Sequence, residues 1–394
     1  MPVDTERGAK ANGVDKSFKE GLEDVIAGES AITDVNGQEG KLIYRGYDIH
    51  DLAVNSTFEE VIYLLWNGDL PNQGQLTSFR SDLCASYTIP QSSLDLIRQF
   101  PKNAPPMDAL RTAVSLLAFS DPDLGDESKE ANRRKALRLT ARMGTLVAAL
   151  ARVERSEAPI PPKPELSIAA NFLYMLSGKE PDETMARALD VALILHADHE
   201  LNASTFAARV TIATLTDMYS AITSAVGTLA GPLHGGANVQ VMHMLEEIGE
   251  PERAEEYVTN MLASGKKVMG IGHRVYRTLD PRAASLREMS LQIAQSTGER
   301  KWYELSEAVA AAAEKAFASK GKTTLKPNVD FFSASVYHVL GIPTNLFTPV
   351  FAVSRVAGWT AHVLEQLENN RLIRPRAIYV GPRDKKVTPV AQRA

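Results

Sequence analysis

Helix-length apolar periodicities, cut at nearly every junction by proline or glycine, constrain this 394-residue chain more than any other feature. One stretch alone reads as strand. From Ala31 to Gly46, β-forming residues flank Asn36-Gly37, which predicts a small hairpin turning at those two residues. The residues before it, roughly the first 20, read as a loose terminus. Beyond Gly46 the pattern is helical. Ser56-Thr57-Phe58-Glu59 reads as a capping box ahead of Val61, Ile62, Leu64 and Leu65, with a stop at Gly68. Further helices are predicted over 107–119, 126–153, 166–176, 182–195, 203–219, 239–248, 251–263, 283–294, 301–318, 330–340 and 351–368. The four prolines between Glu154 and Pro164 mark a surface connection, and no internal repeat is visible. The fold class is therefore all-α with a small N-terminal β hairpin. Alanine-rich helices let axes approach closely, and glycine-histidine segments interrupt that packing, so a cleft can form where those segments meet.

Composition narrows the classes of function. Hydrophobic residues make up 44% and charged residues 23%, and the net charge of −5 gives no sign of a nucleic-acid binder. No apolar run approaches the roughly 18 residues needed to span a bilayer, and the first 21 residues lack the apolar stretch of a secretory signal. Neither a nucleic acid nor a membrane is expected as partner. Cys84 is the chain's one cysteine, which excludes an internal disulfide and a thiolate zinc site. It lies in a helical segment and reads as a buried, inert thiol. A reducing cytoplasm is the expected location.

Three segments carry the chemistry. Gly231-Pro232-Leu233-His234-Gly235-Gly236-Ala237-Asn238 sets an imidazole in a tight turn before a predicted helix start. Gly270-Ile271-Gly272-His273-Arg274-Val275-Tyr276-Arg277 sets a second imidazole among glycines and cations, and matches no phosphate-loop or dinucleotide fingerprint. Asn328-Val329-Asp330-Phe331-Phe332-Ser333 places a carboxylate two residues after a natural helix cap, where the macrodipole favours its ionised form. Two imidazoles and a carboxylate suit proton abstraction from carbon: the carboxylate takes the proton, and imidazole N–H groups stabilise the enol oxygen. Each segment also has a plainer reading. His234 serves as well as a loop histidine, His273 as part of a solvated basic turn, and Asp330 as a helix-start charge.

His196-Ala197-Asp198-His199-Glu200 raises the question of zinc, but its order matches neither common histidine-glutamate metal motif and no third ligand lies nearby. It reads as a polar helix end facing a cleft, with no metal expected. Arg277, Arg282, Arg355 and Arg374 recur near these segments. Guanidinium is the preferred bidentate partner of carboxylate, so arginines converging with histidines point to a di- or tricarboxylic substrate.

Taken in order, these segments, together with Asp280-Pro281-Arg282, Ser354-Arg355-Val356-Ala357-Gly358-Trp359 and Arg374-Pro375-Arg376, resemble the citrate synthase family from about Gly21 to Pro382. The resemblance implies an all-helical homodimer whose subunits have two domains. The large domain would comprise residues 1–234 and 336–394, and a small domain, residues 235–335, would close over substrate. It implies condensation of acetyl-CoA with oxaloacetate and hydrolysis of the thioester, with no cofactor beyond the substrates. Carried over position by position, Asp330 is the base, His234 stabilises the enol, and His273 polarises and protonates the oxaloacetate carbonyl. His199, Arg282 and Arg355 hold oxaloacetate, and Arg374 reaches in from the second subunit. Lys267, Val268, Met269, Gly270, Ile271 and Gly272 take the adenine end of CoA, and Arg277 its phosphates. Both imidazoles act as neutral donors, so their pKa values are expected not to be raised. The chain resembles the compact dimeric branch rather than the one with a longer β-rich N-terminus, so control by NADH is not expected. Alternatives are a 2-methylcitrate synthase using propionyl-CoA, a non-catalytic CoA- or citrate-binding regulator, and a zinc hydrolase built on His196 and His199.

Overall fold

The computed structural model describes residues 19–273, 275–321 and 324–393. Residues 30–371 form one compact unit, and the described parts of the two chain ends form another. Within the end segments the regular elements are two single 3-10 turns, Glu20–Leu22 and Val390–Gln392.

The larger unit begins with a three-stranded antiparallel sheet in the order β1 (Thr33–Asn36), β2 (Lys41–Tyr44), β3 (Tyr47–Asp48). The predicted hairpin is there, but its turn is longer. Asn36 pairs with Lys41, so four residues rather than two make the connection. Asn36 Oδ1 accepts from the N–H groups of Gln38 and Glu39 at 3.1 and 3.0 Å, an Asx turn that competes with the two-residue Asn-Gly turn.

Sixteen α-helices follow among the described residues. They are α1 (Ile49–Asn55), α2 (Phe58–Asn67), α3 (Gln73–Ser86), α4 (Gln91–Ile97), α5 (Pro106–Leu117), α6 (Lys129–Glu154), α7 (Ile168–Ser177) and α8 (Glu183–His196). Then come α9 (Ala203–Ile212), α10 (Met218–Leu229), α11 (Ala237–Ile248), α12 (Ala254–Ala263), α13 (Pro281–Thr297), α14 (Lys301–Ala318), α15 (Val329–Val339) and α16 (Phe347–Glu368). The all-helical class read from the sequence is the class observed.

Local chemistry explains where the boundaries moved. The capping box of α2 sits one residue later than expected: Thr57 caps, and Glu60 reaches back to the Thr57 N–H. Ser56 closes the preceding helix by donating to Leu52 O, and Glu59 is buried, accepting from the Ile168 N–H at 2.8 Å. The segment predicted as one helix over 203–219 is two. Asp217 caps α10 through the Ser220 N–H, and Leu215 takes a left-handed φ of 62° at the break.

α16 is the spine. Every residue from Phe347 to Val363 is buried, so the helix is enclosed on all sides by α2, α6, α8, α9 and α10. α15 packs between α11 and α13, and α12 lies against α14. The ends of α8 and α10, the middle of α16, the loop before α13 and the starts of α9, α13 and α15 supply the residues considered next.

Candidate active site

α16 fixes one wall. Its residues at helical spacing meet the turn that follows α8. Arg355 Nε donates to His196 O at 2.7 Å, the Gly358 N–H donates to Ala197 O at 3.1 Å, and His362 Nε2 lies 3.2 Å from Asp198 Oδ2. The approach is too close for any side chain at 358, where a Cβ would lie 2.4 Å from both Ala197 O and Asp198 Oδ1. The Arg355 guanidinium stacks 4.6 Å from the Phe351 ring, and its buried Nη1 has no protein partner. Burial pushes its pKa down to about 10. A buried cation with an unengaged donor is ready for an acidic ligand. The same turn carries His199, whose Nε2 is 3.1 Å from Tyr276 Oη.

The two glycine-flanked imidazoles are held in opposite tautomers. His234 Nε2 accepts from the Ser204 N–H at 3.3 Å and lies 2.7 Å from Ser204 Oγ, so the neutral ring carries its proton on Nδ1. Trp359 on α16 fixes Ser204 by donating to its Oγ at 3.1 Å. His273 Nδ1 accepts from the N–H groups of Val275 and Tyr276 at 3.0 and 3.2 Å, so its proton sits on Nε2. Burial lowers both rings to about 4; the Arg355 charge adds to the effect at His234 and the Arg282 charge at His273. Both are neutral N–H donors near neutral pH, as a hydrogen-bonding role requires. His199 is likewise pushed well below the usual imidazole range, first by burial and then by Arg282 and His273.

Asp330 occupies the first turn of α15, capped by Asn328, whose Oδ1 accepts the Asp330 N–H at 3.0 Å. The expectation that the helix start keeps this carboxyl low is not met. Burial pushes it up to about 6, past the opposing pull of Arg282 and Arg355. A half-buried carboxylate with a pKa just below neutrality is largely ionised at pH 7 and still basic enough to accept a proton.

Arg282 is less free than the sequence suggested. It is buried in a two-pronged pair with Asp280, Nε to Oδ1 at 2.9 Å and Nη2 to Oδ2 at 2.8 Å. Asp280 Oδ2 also accepts from the Val329 N–H at 3.1 Å and so ties the start of α13 to that of α15. The charge of Arg282 acts on His199, His273 and Asp330, and that of Arg355 on His199, His234 and Asp330. One constellation therefore surrounds the two guanidinium groups.

The loop before His273 is stitched to the approach to α15. The Gly272 N–H donates to Lys326 O at 2.8 Å, the Asn328 N–H to Gly270 O at 2.9 Å, and Asn328 Nδ2 to Gly272 O at 2.8 Å. Gly270 has φ 74°, and a Cβ there would lie 2.7 Å from Val241 and 2.9 Å from Phe331. The Val268 side chain points into the core, Gly270 is buried, Met269, Ile271 and Gly272 are half-buried, and Lys267 and Arg277 are exposed. Of the residues assigned to CoA, Val268 and Gly270 thus have only backbone to offer. Arg374 is exposed and belongs to the unit formed by the chain ends.

His196 is not poised for metal. It is fully buried, with Nδ1 2.7 Å from Ala192 O and its ring against Phe351, and no group of three metal-ligating side chains occurs among the described residues. Cys84 is half-buried rather than buried. Its thiol donates to Pro164 O, and burial raises its pKa, so it is a poor nucleophile. A separate cavity of about 430 Å³, lined among others by Trp66, Lys135, Leu215 and Glu365, shares no residue with the constellation. Ser204, Tyr276, Asp280, Trp359 and His362 were missed as supports. Tyr276, Asp280 and Trp359 already lay inside the quoted motifs, while Ser204 and His362 gave no signal of their own.

A carboxyl of raised pKa, two neutral imidazole donors and two buried guanidiniums suit the class of enzyme that takes a proton from carbon and adds that carbon to an acidic partner. The family profile described as "Citrate synthase, C-terminal domain" matches residues 21–376. The chain is 52% identical to "Citrate synthase 2" of Bacillus subtilis, over 95% of this chain and 99% of that one. It is 42% identical to a "2-methylcitrate synthase" of Mycobacterium tuberculosis, over 94% of this chain and 92% of that one. Its fold matches the citrate synthase of Thermoplasma acidophilum, solved as a ternary complex with carboxymethyl coenzyme A and oxaloacetate. The TM-score is 0.88 and the identity 37%, covering 95% of this chain and 99% of the other. The chain belongs to the citrate synthase family and is an acyltransferase of the citrate synthase type.

Proposed function

We propose that the enzyme condenses acetyl-CoA with oxaloacetate and hydrolyses the resulting citryl-CoA to citrate and CoA, with Asp330, His234 and His273 as its catalytic residues. The observation that carries this is the pairing of opposite imidazole tautomers with a carboxylate held at about 6. Asp330 takes a proton from the acetyl methyl group. The Nδ1–H of His234 donates to the thioester oxygen as it becomes an enol. The enol carbon attacks the keto carbon of oxaloacetate, and the new alkoxide receives the Nε2 proton of His273. Water then cleaves the thioester: its oxygen enters the new carboxylate of citrate, and of its two protons and the one on Asp330, one returns to His273, one goes to the CoA thiolate and one leaves to solvent. Arg355, Arg282 and His199 hold the oxaloacetate carboxylates. The 267–272 loop and Arg277 receive CoA, and no cofactor takes part.

The family resemblance supports three further features: a homodimer in which Arg374 completes the partner's site, closure of a small domain (residues 235–335) on a large one (1–234 and 336–394), and a cytoplasmic location. No helix among the described residues is long and apolar enough to cross a membrane. Closure excludes water until both substrates are bound, which protects acetyl-CoA from wasteful hydrolysis.

The reading is tested by following free thiol with acetyl-CoA and with propionyl-CoA, each with and without oxaloacetate. Release from acetyl-CoA that requires oxaloacetate is expected. Release without oxaloacetate removes the condensation. Faster turnover of propionyl-CoA moves the assignment to 2-methylcitrate synthesis, a preference that one methylene alters by only about 1–3 kcal/mol.

A further inference from the structure

Behind the substrate-facing side chains, four buried or half-buried polar groups form a continuous line. Asp198 is fully buried. Its Oδ2 accepts from Thr33 Oγ1 at 2.6 Å and from the Glu200 N–H at 3.2 Å, and lies 3.2 Å from His362 Nε2. On the other side of the ring, Arg209 Nη1 is 3.0 Å from His362 Nδ1. Arg209 in turn pairs with Glu365 at 2.6 Å and donates to Gln366 Oε1 at 3.1 Å. Arginine has no acceptor, so His362 Nδ1 must accept and its proton sits on Nε2, directed at Asp198. Arg209 thus fixes the tautomer, and the tautomer fixes the donor to Asp198.

Asp198 is the middle residue of the turn that presents His199 and supplies the His196 carbonyl to Arg355. That turn is unusually constrained. Tyr44 Oη donates to Asp198 O at 2.8 Å and accepts from the Asp198 N–H at 3.1 Å. Glu200 adopts a left-handed φ of 53°, which costs a non-glycine residue energy and persists only where neighbours enforce it. The carboxylate of Asp198 accepts from the Glu200 N–H, and Asn202 Nδ2 donates to Glu200 O at 3.3 Å, so both side chains hold it. Burial alone would raise the Asp198 carboxyl, but His362, Arg355 and Thr33 together hold it below its ordinary value. A charged, desolvated carboxylate aimed at its own turn is costly unless its donors stay in place.

We propose that His362, held in one tautomer by Arg209, is a positioning residue for the acidic substrate: acting through Asp198, it sets the turn that places His199 and Arg355. This rests on the reading of His199 and Arg355 as oxaloacetate ligands. His362 itself touches no substrate. The loss of His362 falls mainly on oxaloacetate, because the 267–272 loop assigned to CoA hangs on Lys326–Asn328, while this turn reaches the Arg277 segment through the 3.1 Å contact of His199 Nε2 with Tyr276 Oη.

The test is steady-state kinetics and thermal melting of His362→Leu, His362→Gln and Thr33→Val, with Arg355→Gln as control. His362→Leu should raise the oxaloacetate KM about tenfold or more while the acetyl-CoA KM stays within about twofold, since misplacing a ligand by even 1 Å is costly. His362→Gln keeps an N–H for Asp198 and an oxygen for Arg209, and should recover most of the loss. Thr33→Val removes a second donor to the same oxygen and should move the oxaloacetate KM in the same direction by a smaller factor. It keeps the test alive where His362→Leu fails to fold. A lower melting temperature with both KM values unchanged, or equal losses in the Leu and Gln variants, makes the line merely structural and overturns the proposal. If Arg355→Gln leaves the oxaloacetate KM unchanged, the ligand reading fails instead. If Arg355→Gln raises it and the His362 and Thr33 variants do not, the positioning role alone fails.

Discussion

The two walls of the site are built differently. The wall formed by α16 and the 196–200 turn is buried and cross-braced. Arg355, Gly358, Trp359 and His362 lie on one helical face, and each bonds either the turn or Ser204 at the start of α9. The opposite wall, the 266–280 loop and the start of α15, is held by bonds among Gly270, Gly272, Lys326 and Asn328, by the Arg277 N–H on Gly37 O and by the Val329 N–H on Asp280, and exposes Lys267 and Arg277. On the proposed assignment the first wall receives the small, doubly charged acid and the second, a lighter frame, the large thioester. That assignment gives rigidity to the substrate that must be oriented and adaptability to the one that must be admitted.

The comparison breaks most completely at Asp330, which belongs to the lighter wall yet is the proposed proton acceptor. Asp330→Asn should lower turnover by about 10²–10⁴, the usual cost of losing a positioned base, with oxaloacetate affinity nearly unchanged. Single-turnover kinetics and an oxaloacetate titration separate the two quantities. Near-normal turnover would return Asp330 to a helix-start charge.

The next largest effect concerns sites shared across a dimer. Arg355→Gln and Arg374→Ala homodimers should each show little activity at an oxaloacetate concentration that just saturates the wild type. Co-refolded in equal amounts they give about half mixed dimers, each with one intact site of two, so roughly a quarter of wild-type activity should return. Arg355 is the better partner for this test than Arg282, whose loss would strand the buried Asp280 carboxylate. No recovery in a preparation shown to contain mixed dimers would place Arg374 outside the neighbour's site.

Two glycines sharpen the contrast between walls. Gly358→Ala forces a methyl group to 2.4 Å from Ala197 O and Asp198 Oδ1, while Gly270→Ala meets Val241 and Phe331 at a left-handed φ. Each should cost about 1–3 kcal/mol in chemical denaturation. Their kinetic effects should divide: Gly358→Ala raises the oxaloacetate KM, Gly270→Ala the acetyl-CoA KM. Gly236→Ala, with nothing within 4 Å of the added carbon, should change stability by no more than about 0.5 kcal/mol. The smallest effect is expected from EDTA, which should leave activity intact; loss restored by zinc would revive the His196 and His199 metal reading.

Much of this was legible in residues alone. Helix periods, Pro and Gly breaks and the Asn328 cap located most elements, and the ordered histidine, aspartate and arginine motifs named the groups that surround the two buried guanidiniums. What stayed hidden depends on geometry, local or tertiary, that residue order does not show. The break at Leu215 follows from an Asp217 cap that competes with an unbroken apolar pattern. The opposite tautomers of His234 and His273 are set by Ser204 and by the backbone of Val275 and Tyr276, 30 residues away in one case and two or three in the other. The raised pKa of Asp330 is not legible in the sequence because a helix cap is a local feature and desolvation is not: burial outweighs the pull of Arg282 and Arg355. Arg282 looked free because a sequence shows Asp280 as a neighbour without showing that both are buried.

The pH dependence of kcat/KM for acetyl-CoA tests the central assignment most directly. Asp330 must be ionised to act, and its carboxyl lies at about 6, whereas His234 and His273 remain neutral down to about 4. Bound oxaloacetate adds negative charge and moves Asp330 no lower. The rate should therefore rise with pH as a single ionisation at about 6 or slightly above, and Asp330→Asn should lose that limb along with its activity. A profile flat from pH 5 to 7, or a limb that persists in the asparagine variant, would contradict Asp330 as the proton acceptor.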